Sequence, residues 1–192
     1  MITLNNSIFD FFYTAVLGDA TNRVLQSGKK KLIAQNTSIR LLVKTYAENV
    51  INGRESNFYE LVQDIYDCRE GVDDLTFGHI QKLINMTMKY LYASYYRDKD
   101  IRPNFRNCHA PLDRVMRDYV YEKYKLLFTR PPGFRKSISW SRLSFEDIKI
   151  YKSYQHAVDV IIKQEKKNMM PIEFDYVAWK KDPLSPIEDF GL

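Results

Sequence analysis

Apolar residues recur at spacings of three and four along almost the whole of this 192-residue chain. Nowhere do they alternate with polar residues for long enough to suggest a strand. That periodicity predicts an all-α fold. A first helix is expected over about residues 7–26. It is entered through Asn5, Asn6 and Ser7, striped by Ile8, Phe11, Phe12, Ala15, Val16 and Val24, and broken by Gly28 and Lys29–Lys31. A second, over about 36–52, carries Ile39, Leu42, Val43, Tyr46 and Val50 and closes at Asn52-Gly53. Ser56 is the expected cap of a third, with Phe58, Leu61, Val62 and Ile65 facing inward.

The pattern continues in the second half. Asp113 to about Phe128 shows Val115, Met116, Tyr119, Val120 and Tyr124 on one side, and Thr129-Arg130-Pro131-Pro132-Gly133 breaks it. A loop through Trp140-Ser141 leads to Ser144 and Asp147, a capping pair for a helix reaching about Lys167 with Ile148, Tyr151, Tyr154, Val158 and Ile161. After Pro171 a short helix is expected near Glu173 to Trp179, stopped by Pro183 and Pro186. The length suits one compact multi-helix domain over 1–192, with room for two lobes.

Composition narrows the class of partner. The net charge is +5 and the pI about 9.0, a mild excess suited to an anionic partner. Cys68 and Cys108 have no CxxC spacing, and with His79, His109 and His156 they make no zinc signature, so no metal or other cofactor is expected. The first residues lack a basic segment followed by an apolar run, and no window approaches ~18 apolar residues. The expectation is a cytoplasmic protein with reduced thiols and no membrane contact.

The stretch Leu75–Met116 holds the candidate chemistry. Gly78 precedes Lys82 by four positions and is expected to let the backbone reverse tightly between helices, turning amides outward to a phosphate oxygen. Lys82, Asn85 and Lys89 fall along one flank of the helix that follows. Further on, Pro111 keeps its neighbours extended and Asp113 is suited to cap the next helix.

Leu75, Gly78 and Lys82, together with Pro111-Leu112-Asp113-Arg114, resemble the helix-hairpin-helix DNA glycosylase superfamily. Its hairpin has the form LxGxGxK, with a nucleophilic lysine, and an aspartate opens a later helix. Asp113 follows Lys82 by 31 positions, a spacing similar to that of the archaeal branch acting on oxidised guanine. Ile80 stands where the second hairpin glycine would be, and the leucine lies one place nearer the first. The resemblance covers about 40 residues, inside a hairpin and active-site segment at about 66–128.

It implies excision of a damaged or modified base, with Lys82 attacking the sugar C1′ and Asp113 accepting a proton and stabilising the cationic sugar. The nucleic-acid-binding set is then Gly78, His79, Gln81, Asn85, Lys89, Arg114 and Trp140, with DNA as the expected partner. Trp140, Trp179 and the tyrosines between Tyr90 and Tyr96 are candidates to receive the base, and Lys29–Lys31, Arg97, Arg102, Arg106 and Arg135 to neutralise phosphates.

Two other readings use the same residues. Arg102 and His109 enclose six residues, as in metal-independent HEPN-type ribonucleases, although Pro103 and Pro111 favour a loop there. A non-catalytic basic helical module binding nucleic acid or protein needs only the charge and the helices. Asp73-Asp74 and the Glu173/Asp175 pair read as caps or surface groups rather than as hydrolytic carboxylates.

Overall fold

The computed structural model describes residues 1–21, 33–69, 71–72, 75–128, 131–165 and 168–180. Expectations at Val24, Gly28, Lys29–Lys31, Asp73-Asp74, Thr129-Arg130, Pro183 and Pro186 fall outside them. The described residues contain helices and no strand. The α-helices are α1 (Asn6–Thr21), α2 (Thr37–Ile51), α3 (Phe58–Asp67), α4 (Phe77–Ser94), α5 (Arg114–Leu127), α6 (Ile148–Gln164) and α7 (Pro171–Lys180). Short 3-10 segments stand at Arg102–Asn107, Trp140–Arg142 and Phe145–Asp147.

α4 is the axis of the molecule. Twelve of its eighteen residues are buried, which makes it a helix enclosed on most sides rather than an amphipathic surface helix. It packs against α1, α3 and both the Trp140 and Arg102 segments. α5, α6 and α7 pack on one another, and α2 lies on α3 and the Arg102 segment. Aromatic rings fill the space around α4's first turns: Phe77 meets Tyr151 edge-on at 5.2 Å between centroids, and Phe58 stacks on Tyr151 at 5.6 Å.

Local signals set most helix ends. Asn36 caps α2 by accepting from the Ile39 amide, and Gly53, at φ +64°, closes it in the left-handed region. Asp113 caps α5, accepting from the Met116 amide at 2.9 Å. Ser144 and Asp147 form the reciprocal capping pair leading into α6. At α3 the cap is Asn57 rather than Ser56: the Asn57 carboxamide reaches the Tyr59 and Glu60 amides.

α1 is rotated from its expected phase. Ile8 and Phe11, expected inside, are 54% and 70% exposed, while Phe9, Tyr13, Val16 and Leu17 enter the core. The two stripes differ by one residue, a turn of about 100° on a helix with ~3.6 residues per turn. In a segment carrying aromatics on both sides, the neighbouring α4 selects the face, through contacts such as Phe12 stacking on Tyr90.

Gly78 does a different job from the one expected. It is the second residue of α4, and the left-handed glycine of the preceding connection is Gly71, at φ +77°. A Cβ on Gly78 would lie 1.7 Å from the Trp140 carbonyl oxygen, so glycine is required there for close approach of two backbones. Its amide donates to the Leu143 carbonyl at 3.1 Å, and the His79 and Ile80 amides turn back to Thr76. These N–H groups are therefore occupied internally rather than offered to a phosphate. Gly78→Ala is expected to lower stability by ~1–3 kcal/mol through forced displacement of the Trp140 segment. Gly18→Ala, in α1 with nothing within 4 Å of the added carbon, is expected to raise stability by up to ~1 kcal/mol. Urea denaturation of the two variants beside the parent measures both.

Candidate active site

The segment Ala110–Leu112 is held between α4 and α6 entirely by side chains. From α4, the Gln81 amide nitrogen donates to the Leu112 carbonyl at 3.0 Å while its oxygen accepts from the Leu112 amide. From α6, Gln155 makes the same two-way bond to Ala110, and the Tyr154 hydroxyl donates to the Pro111 carbonyl at 2.9 Å. An extended strand of backbone is thus satisfied without a partner strand. Asn85 extends the network, donating to Gln81 Oε1 and to the Tyr151 hydroxyl. This clamp delivers Asp113 to the start of α5, where the carboxylate is almost wholly buried.

On the same side of α4, Lys82 is half-buried and its ammonium stands 4.5 Å from the centroid of the Trp140 ring, a cation–π contact. Seven residues on, Lys89 pairs with the Asp175 carboxylate of α7 and lies 4.8 Å from the Tyr176 centroid. Asp175 joins the elements together. Burial raises its carboxyl from the ordinary 3.8 to about 6, Lys89 opposes that shift, the Asp113 charge adds to it and the Lys82 charge reduces it. Lys82, Lys89 and Asp113 therefore each act electrostatically on Asp175. Its Oδ1 is buried with no hydrogen-bond partner.

Asp175 was expected to be a cap or a surface group; it is fully buried instead. The Asp–Tyr–Val–Ala setting gives no local sign of this, because the partner that makes burial tolerable, Lys89, is 86 positions away. Glu173, two residues earlier, is likewise engaged: it accepts from the Tyr92 hydroxyl and pairs with Arg102 at 2.6 Å. Those hydrogen bonds hold its carboxyl below the ordinary range against the opposing effect of burial.

The candidate nucleic-acid set divides by burial. Gly78, His79, Gln81 and Asn85 are buried, and the flank expected to run outward from Lys82 through Asn85 to Lys89 faces the interior at Asn85. Their roles are in support: Gln81 and Asn85 build the clamp, and Gly78 seats the Trp140 segment. His79 completes the cap of α4, with Nδ1 beside the Thr76 hydroxyl, and burial lowers its pKa to about 4, so it is neutral near pH 7. Trp140 is half-buried over Lys82, Lys89 is half-buried, and Arg114 is exposed next to Asp113. Lys82 meets the Trp140 ring, Lys89 pairs with the unanticipated Asp175, and Lys82 and Asp113 both act on Asp175 electrostatically.

The arginine and histidine of the ribonuclease reading sit in different settings. Arg102 opens the 3-10 segment and is bound by Glu173 and Tyr92. His109 packs against Phe58 at 4.4 Å between centroids, with Nδ1 3.2 Å from the Tyr151 hydroxyl, and burial lowers its pKa to about 4. Cys68 and Cys108 are free thiols, the second buried. Among the described residues no three of His, Cys, Asp and Glu come together as a metal site, and no helix is long and apolar enough to cross a membrane.

A scan against protein-family models, a search of curated proteins and a search of solved structures each return no match to this chain.

A carboxyl whose pKa is raised by folding is protonated in the folded chain at pH values where the unfolded chain has already ionised. Asp175 therefore contributes stability at acid pH, and the contribution is lost as pH rises from about 4 to about 6. Relative to an Asp175→Asn variant, the parent is expected to lose at most ~1.4 kcal/mol per pH unit across that window. Parallel urea titrations of both proteins at several pH values check the slope and its sign.

Proposed function

We propose that this chain is a DNA glycosylase/lyase-like enzyme that excises a damaged or modified base with Lys82 as nucleophile. What supports the reading is an amine held against an aromatic ring, 4.5 Å from the Trp140 centroid, with Lys82 and the buried Asp113 both acting on Asp175. A helix-hairpin-helix role for α3, its connection and α4 belongs to the same proposal, Lys82 lying in the second turn of α4.

The chemistry assigns one step to each group. The Lys82 ammonium gives up a proton, which passes by way of water to the departing base; the resulting amine forms a bond to C1′ as the glycosidic C1′–N bond breaks with its pair on the base. The new ammonium passes its proton to Asp113, whose Oδ1 is used in the cap while Oδ2 lies outside that bond. The C1′–O4′ bond then opens, O4′ takes the proton that Asp113 had accepted, and a protonated Schiff base remains on Lys82. A negative charge on Asp113 would also stabilise the developing cation on the sugar. Trp140, half-buried beside the amine, is the surface on which an extruded base would stack.

Borohydride trapping on duplexes carrying oxidised guanine, uracil or an abasic site tests this. A covalent adduct is expected with the parent and none with Lys82→Gln. Asp113→Asn is the sharper variant, because asparagine caps a helix about as well as aspartate. It should keep the fold by circular dichroism yet slow trapping by ~100-fold or more. Adducts that persist in Lys82→Gln, or no adduct on any of the three duplexes, would remove the enzyme reading; duplex binding without trapping would favour the binding module.

A further inference from the structure

Away from the Lys82 cluster, and sharing no residue with it, a groove of about 570 Å3 runs between the end of α2 and the Arg102–Asn107 segment. Its frame is held in place. Gly53 turns the chain at positive φ, and the Asn104 carboxamide lies over it, close enough that a Cβ on Gly53 would meet Asn104 Oδ1 at 3.2 Å. Asn104 also donates to the Ile51 carbonyl at 2.8 Å, tying the 3-10 segment to the helix end. The last α2 carbonyls are satisfied from within, by the amides of Asn52, Gly53 and Arg54, so they add little negative potential to the groove.

Two guanidiniums line this frame. Arg54 and Arg106 are exposed, and neither meets a carboxylate, carbonyl or ring among the described residues. Arg40, Arg69, Arg102 and Arg117 are each committed to a carboxylate or an aromatic ring. Asn107 adds an amide donor, and Glu55 is the one carboxylate on the lining. Guanidinium forks match the oxygens of a phosphate group two at a time. The volume exceeds that of a bare anion and falls in the range of small-ligand sites.

We propose that this groove binds a phosphate group, with Arg54 and Arg106 as its paired anchors and Asn107 as a neutral donor. The phosphate belongs either to a nucleic-acid strand or to a free nucleotide. The inference does not depend on chemistry at Lys82.

Fluorescence anisotropy with a labelled single-stranded oligonucleotide on the full chain tests it, with pyrophosphate and AMP as competitors. Arg54→Ala combined with Arg106→Ala is expected to weaken binding at least tenfold and to flatten the dependence of log affinity on log salt by about one to one and a half. The double lysine variant should recover part of the affinity, and Glu55→Gln should tighten binding a few-fold. Competition by pyrophosphate or AMP identifies a single phosphate group as sufficient; arginine-dependent binding without it identifies the linked phosphates of a strand. Undiminished affinity in the double alanine variant, an equal loss in Lys163→Ala at an exposed position outside the groove, or no binding by the parent overturns the proposal. Circular dichroism of each variant separates loss of a contact from loss of the fold.

Discussion

The arrangement rests on two glutamines doing the work that a neighbouring strand does in a sheet. Gln81 and Gln155 each present a donor and an acceptor to the carbonyl and amide of one residue, and between them the backbone from Ala110 to Leu112 is held in an otherwise helical interior. A buried amide left without a partner costs ~1–3 kcal/mol, so the pairing is strongly enforced. It also sets a distance: α4 and α6 must stand one extended chain apart. That spacing sets the tip of α5, which carries Asp113, next to the Gln81 turn of α4.

The second constraint is electrostatic. A carboxylate with no solvent exposure is costly unless a cation neutralises it, and Lys89 does so for Asp175. The pair pins α7 against α4, with Arg102 and Glu173 fastening the same helix two residues earlier. Buried ion pairs contribute little net stability compared with apolar packing, but removing one partner strands the other. The incomplete hydrogen bonding at Asp175 Oδ1 and the raised pKa are the signs of that cost. A chain packed for stability alone would place leucine or methionine there, which is why the cluster was read as a site.

How much could be read in advance depended on how far apart the interacting residues lie. Asp113 was recognisable as a cap because the amide it binds is three residues away. The same holds for Asn36 and for the Ser144–Asp147 pair. Where two local solutions compete, the reading fails by one position: Asn57 caps α3 in place of Ser56, and Phe9 and Tyr13 rather than Ile8 and Phe11 enter the core. Gly78 carried a true signal with the wrong cause. A glycine was needed there, yet for the carbonyl of Trp140, 62 positions later, and not for a turn.

From the linear chain alone came the helical class, most helix ends and Asp113 as the cap of α5, because caps and apolar periods are written within one or two turns of helix. Tertiary packing alone decided which polar side chains go inside. Gln81, Asn85 and Asp175 resemble ordinary surface residues by type, and what makes their burial affordable lies far along the chain: the Leu112 peptide, the Tyr151 hydroxyl and the Lys89 ammonium. Desolvation is decided by those distant partners, and only the folded chain brings them within reach.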